Sequence, residues 1–143
     1  MNKMIILAAV AAIGLAGFAG EHDTPQTSGD YIQLVAGEPV YAGNIAIVGT
    51  NGLAYAANTT KVVGGTVCGV FQYSAAAGEK VLAKRGGFIL ENATSGKVEK
   101  KDVGATVYSV SSNAWTVTKT SGGKTVGKVA DVRDDGVVVV VGR

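Results

Sequence analysis

The sequence predicts an all-β protein: a small antiparallel barrel or sandwich with an N-terminal hydrophobic segment or arm. Three observations carry this. From Tyr31 onward the chain is a series of short runs rich in Val, Ile, Thr and Tyr, the residue types that fit a pleated, half-buried surface. The gaps between runs are mostly short and turn-like, which leaves little room for crossover helices and disfavours a parallel βαβ layout. Hydrophobic residues make up 47% of the chain and charged residues 17%, a balance that packs into a core.

The 143 residues divide into three parts. Residues 1–20 form a hydrophobic leader-like segment or arm. After Lys3, the stretch 4–20 carries no charge, and Gly17-Phe18-Ala19 fits a small-x-small cleavage pattern, the grammar of a secretory signal. The same stretch also reads as an apolar arm that orders against a partner. A membrane anchor fits less well, since the run is at the short limit for a span and holds Gly14, Gly17 and Gly20. Residues 21–30 are a polar linker containing Pro25 and Gly29. Residues 31–143 are the β-domain.

Within that domain, alternation and β-branched runs place strands at 31–36, 44–48, 53–56, 67–73, 80–84, 88–91, 106–110, 114–119, 126–132 and 137–141. Thr50-Asn51-Gly52 fits a two-residue hairpin turn between the second and third strands. Ser111-Ser112-Asn113, Ser121-Gly122-Gly123 and Asp134-Asp135-Gly136 break later strands in the same way. In 114–119, alternation puts Trp115, Val117 and Lys119 on one face, so Trp115 is expected in the core or at a subunit contact. Five consecutive valines, Val137 to Val141, need cover on both faces and predict a central strand or an oligomer seam. A faint G-x-x-V pattern recurs at Gly37, Gly78 and Gly104, each opening a strand after a turn; its unequal spacing excludes a solenoid.

The side chains offer little chemistry. The one histidine, His22, lies in the linker between Glu21 and Asp23, which is not a metal-ligand spacing. The one cysteine, Cys68, sits in the apolar run Thr66 to Phe71 and reads as a small buried hydrophobe. Asp131, Asp134 and Asp135 lack the register of a calcium loop. The glycine pairs at Gly64, Gly86 and Gly122 do not open into a phosphate-binding helix. Lys97, Lys100 and Lys101 are not interleaved with aromatics that stack bases. The net charge of +2 is unevenly spread: residues 1–78 carry −2 and residues 79–143 carry +4. That asymmetry reads as a solvated surface and is too small to argue for nucleic acid. No catalytic, cofactor-binding or metal-binding residue is assigned, and the reading is of a non-enzyme without a cofactor.

The order of pieces across 31–143 resembles the small bacteriophage capsid cement, or head-decoration, proteins. The resembling pieces begin with Ala36-Gly37-Glu38-Pro39-Val40, Gly49-Thr50-Asn51-Gly52-Leu53-Ala54, Gly69-Val70-Phe71-Gln72-Tyr73 and Ala76-Ala77-Gly78-Glu79-Lys80-Val81. They continue with Val103-Gly104-Ala105-Thr106-Val107-Tyr108, Thr116-Val117-Thr118, Val126-Gly127-Lys128-Val129 and the terminal Gly136 to Val141 run. The resemblance implies a small β-barrel-like domain without catalytic residues. It implies a homo-oligomer, trimer or dimer, that sits on the capsid surface of the virion and reinforces contacts between major capsid protein subunits. No nucleic acid and no small-molecule substrate are implied. The alternative that the leader-like segment supports is an exported envelope β-domain, periplasmic or extracellular, acting as a binding or adhesion module. A membrane enters only if 1–20 is a signal or anchor.

Overall fold

The computed structural model describes residues 30–142. The leader-like segment, all of the linker except Asp30, His22 and Arg143 lie outside the described residues. The described chain is all-β, and all ten strands form where alternation put them, within a few residues at each end. They are β1 (Tyr31–Val35), β2 (Ile45–Val48), β3 (Ala54–Ala56), β4 (Thr66–Phe71), β5 (Lys80–Lys84), β6 (Gly86–Asn92), β7 (Thr106–Ser109), β8 (Thr116–Thr118), β9 (Thr125–Arg133) and β10 (Gly136–Val141). One 3-10 turn that the sequence reading did not anticipate, Lys100–Asp102, precedes β7.

The strands make two units. β1–β5 form a five-stranded sheet in the order β1-β5-β4-β2-β3, and β6–β10 close into a barrel in the order β10-β6-β8-β7-β9. Among the named strands the expected antiparallel pattern holds with one exception; outside them the isolated Ala36–Ala54 bridge is also parallel. β6 and β8 run parallel, pairing Glu91 with Thr116 and Asn92 with Val117. The parallel pair arises because the chain leaves β6, passes through Val98 and the 3-10 turn, and builds β7 before β8 fills the gap between β6 and β7.

Inside the barrel, alternation sorts β10 cleanly. Val137, Val139 and Val141 are fully buried, and Val138 and Val140 turn outward. Both edges of β10 are paired, with β6 on one side and β9 on the other, so the valine run is a central strand. Gly127 of β9 lies opposite Val141, and a Cβ there would collide with the Val140 carbonyl. Val98, missed as a core residue, plugs the barrel with 1% exposure. Asn92 holds it by donating from Nδ2 to the Val98 carbonyl at 2.8 Å and accepting the Val98 N–H at 2.9 Å.

The sheet has two packed sides. Ile45, Ile47, Tyr55, Val67 and Val70 join the barrel valines in one cluster, and the Ile45 N–H donates to the Ala114 carbonyl at 2.6 Å. The other side carries Phe71 among Ala46, Ala54, Val81 and Ala83, sealed by Ala36, Val40 and Ala75. Small residues let this sheet curl until Ala36, just past β1, bridges Ala54 of β3. The loop between β2 and β3 is Thr50-Asn51-Gly52, one residue longer than the two-residue turn expected. The Gly52 N–H donates to Gly49 and the Gly49 N–H to Leu53, and Gly52 takes φ +82, which suits glycine.

Candidate functional site

The groups singled out for chemistry are dispersed and engaged. Cys68 bulges out of β4, its Sγ 3.5 Å from the Ala46 carbonyl. Burial pushes its thiol up to about 11, so it stays protonated and a poor nucleophile at neutral pH. Asp134 and Asp135 are exposed in the β9–β10 turn. Asp131 accepts from Lys100 at 3.2 Å and lies 3.4 Å from Arg133. The Lys100 contact, then the Val132 N–H, hold its carboxyl below the usual 3.8. Asp102 is likewise depressed, first by the Glu99 N–H that it accepts at 2.8 Å. The lysine cluster is split: Lys101 pairs with Glu99 at 3.5 Å, while Lys100 reaches across to β9. No group of three His, Cys, Asp or Glu among the described residues is placed to hold a metal ion. No helix among them is long and apolar enough to cross a membrane.

Two open grooves flank the barrel. One, of about 610 Å³, runs between Glu91, Lys97, Lys100, Asp134 and Asp135. The other, of about 620 Å³, is lined by hydroxyls, among them Thr59, Thr118 and Ser109. Those hydroxyls are already committed to the fold. Thr118 Oγ1 donates toward the Ser95 and Gly96 carbonyls, Ser109 Oγ accepts the Lys124 N–H, and Thr59 Oγ1 donates to Glu38.

What the surface does present is contact area. Trp115 is not in the core: it is 47% exposed. Asn113 Oδ1 accepts the N–H groups of both Trp115 and Thr116, so regular alternation starts only at Thr116 and the indole is turned out. Its Nε1 donates to Glu91 Oε1 at 2.8 Å. Ile89, two residues before Glu91 on the same outward side of β6, is 47% exposed and lies opposite the half-buried Val138. Trp115, Glu91, Ile89 and Val138 thus share one outer wall of the barrel, with the indole already held in place. An exposed Trp whose ring is already held in place is the kind of residue that carries energy in protein interfaces.

The second contact element is strand β1, the edge of the sheet. Tyr31, Ile32 and Val35 are 50%, 37% and 38% exposed. Lys84 stands 5.6 Å from the Tyr31 ring centroid, at cation–π range. The opposite edge, β3, is covered by the chain itself. The Gly37 N–H donates to the Ala54 carbonyl at 2.8 Å, and Glu38 Oε2 accepts the Ala56 N–H at 3.1 Å.

No family model, no curated protein and no solved structure matches this chain.

Proposed function

We propose that this chain is a structural virion protein that decorates a bacteriophage capsid, binding the outside of major capsid protein subunits as a homo-oligomer. The observation that carries the reading is architectural. The pieces that resemble the head-decoration proteins imply a small barrel-like domain, and the chain folds into a closed five-stranded barrel fused to a curled sheet. Such a body suits a mechanical role. Its strands are locked by pairing on both sides in the barrel, and its outer wall offers the Trp115–Ile89 patch to a larger surface. Added contact area repeated over many copies stabilises a shell.

The test is a melting or rupture assay on particles with and without the protein. Particles carrying it are expected to rupture at higher temperature, and the double variant Trp115→Ala, Ile89→Ser is expected to lower occupancy at least about tenfold. An unchanged rupture threshold removes the role. The alternative, an exported envelope module, is favoured by the uncharged stretch 4–20. Intact-mass measurement separates the two: a chain beginning near Gly20 or Glu21 after export supports the envelope reading, and retention of 4–20 in particles supports the virion one.

A further inference from the structure

The turn between β2 and β3 carries a reactive pair that its neighbours hold still. Asn51-Gly52 is the one place in the sequence where glycine follows asparagine. Asparagine is among the thermolabile side chains. Glycine has no Cβ to shield its backbone nitrogen, so that nitrogen can reach the side-chain amide carbon of the residue before it and close a cyclic imide. Asn51 and Gly52 are both exposed, open to the solvent water that the reaction consumes.

Three hydrogen bonds oppose the reaction in the fold. The Leu53 N–H donates to Asn51 Oδ1 at 3.1 Å, and Asn51 Nδ2 donates to the Tyr55 hydroxyl at 2.9 Å. The side-chain amide is thus tied at both its polar atoms. The Gly52 N–H, which must give up its proton for the nitrogen to attack, donates to the Gly49 carbonyl at 2.9 Å. The tether is stiff because Tyr55 is. Its side chain is buried, and its ring lies against two glycines. A Cβ on Gly37 would collide with Cζ of the ring, and one on Gly49 would stand 3.0 Å from Cε2.

We propose that Asn51 is a self-modification site, deamidated through Gly52 when the β2–β3 turn opens and held unreacted by Tyr55 and Leu53 while it is closed. The Gly52 nitrogen bonds to Asn51 Cγ. The Cγ–Nδ2 bond breaks, and the proton from the Gly52 N–H leaves with Nδ2 as ammonia. Water then opens the imide at one of its two carbonyls. Opening at Cγ gives an aspartate, and opening at the main-chain carbonyl gives an isoaspartate.

The two products differ in what the turn can do with them. An aspartate keeps the main chain, and the Tyr55 hydroxyl can rotate to donate to the new carboxylate. An isoaspartate routes the main chain through the side-chain methylene and lengthens it by one carbon. The extra carbon falls inside the loop that the Gly52-to-Gly49 and Gly49-to-Leu53 bonds close, so this product cannot restore both. Opening of the turn is recorded irreversibly at the point where β2 hands over to β3. The inference needs only this chain and is independent of whether a shell is bound.

The experiment incubates the full chain at mildly alkaline pH, with and without denaturing urea, and follows the proteolytic peptide that carries Asn51. Mass reads the conversion of amide to acid, and chromatographic retention separates isoaspartate from aspartate. The folded wild type is expected to deamidate at Asn51 at least about tenfold more slowly than the denatured chain, the effect of holding the amide by two hydrogen bonds. Tyr55→Phe removes the hydroxyl and keeps the ring. It is expected to raise the folded rate at least about threefold, with an unchanged circular dichroism spectrum. Hydroxylamine, which cleaves the cyclic imide, is expected to cut the denatured wild type after Asn51 and to spare the folded one, a readout that does not depend on the variant folding normally. Equal rates in the folded and denatured chain, or no reaction at Asn51 in either, overturn the proposal. So does a folded Tyr55→Phe chain that deamidates no faster than the wild type.

Discussion

The barrel and the curled sheet solve the same problem with different means. In the barrel, backbone pairing does the closing: every strand has a neighbour on both sides, and the interior is a stack of valines from β7, β9 and β10 with Val98 as a plug. In the sheet, closure depends on a single bridge at Ala36–Ala54, one glycine N–H and one carboxylate. Its inner side holds five alanines around one large side chain, Phe71. The barrel spreads its stability over many similar contacts. The sheet concentrates it in a few, where the end of β1 meets β3.

The largest expected effect tests that concentration directly. Phe71→Ala should cost about 3–5 kcal/mol, because alanine neighbours cannot collapse into the space. Val139→Ala in the barrel should cost about 2 kcal/mol. Urea melts of the two variants decide it: equal losses would mean that the two cores share load evenly and that the contrast fails.

Next comes the cover on β3. Glu38→Ala removes the acceptor of the Ala56 N–H and of the Thr59 hydroxyl, a loss of about 1–3 kcal/mol for a charge-assisted pair. Amide exchange at Ala56 should accelerate while exchange at Val139 stays slow. If the Ala56 amide remains as protected as before, the carboxylate is not what closes that edge.

A smaller, kinetic effect is expected at the seam. Cys68 lies where the two units meet, with its carbonyl 3.1 Å from the position a Cβ on Gly142 would occupy. With its thiol raised from 9.0 to about 11, the folded chain holds about a hundredfold less thiolate than the unfolded one. A thiol reagent at pH 8 should therefore label the folded chain far more slowly than the denatured chain. Matching rates would show that the seam opens freely.

The smallest effect is acid sensitivity of the barrel end. Asp102 and Asp131 have depressed folded values, so the carboxylate form is favoured by folding. Their contribution is present above the unfolded value, about pH 4, and is lost as pH falls through the folded values. Asp131 faces solvent, Asp102 is partly covered, and their lysine and arginine partners are exposed to screening by salt, so the shift in melting temperature should be slight. The variant pair Asp102→Asn, Asp131→Asn should flatten it; an acid arm as steep as that of the wild type would assign the sensitivity elsewhere.

Much of this was legible locally. Period-two alternation located all ten strands, and the valine run declared a strand needing cover on both sides. The same local signal left Trp115 between core and subunit contact; the Asn113 side chain interrupts the ladder and turns the ring to solvent, which removes the core half of that expectation. It also missed Val98, a lone apolar residue among lysines, whose burial depends on Asn92 reaching across a loop. The contact surface was legible only as exposed candidates. Nothing in the linear pattern shows that the residues just past β1 return to cover β3.

The sequence by itself determined the β class, the strand positions and the turn residues, because side-chain alternation and glycine's tolerance of positive φ are properties of neighbouring residues. Only the tertiary structure decided the parallel β6–β8 pair, the closure of the barrel and the return of the end of β1 onto β3. Pairing is a contest between strands distant in the chain, and its outcome depends on which faces bury best once all of them are present.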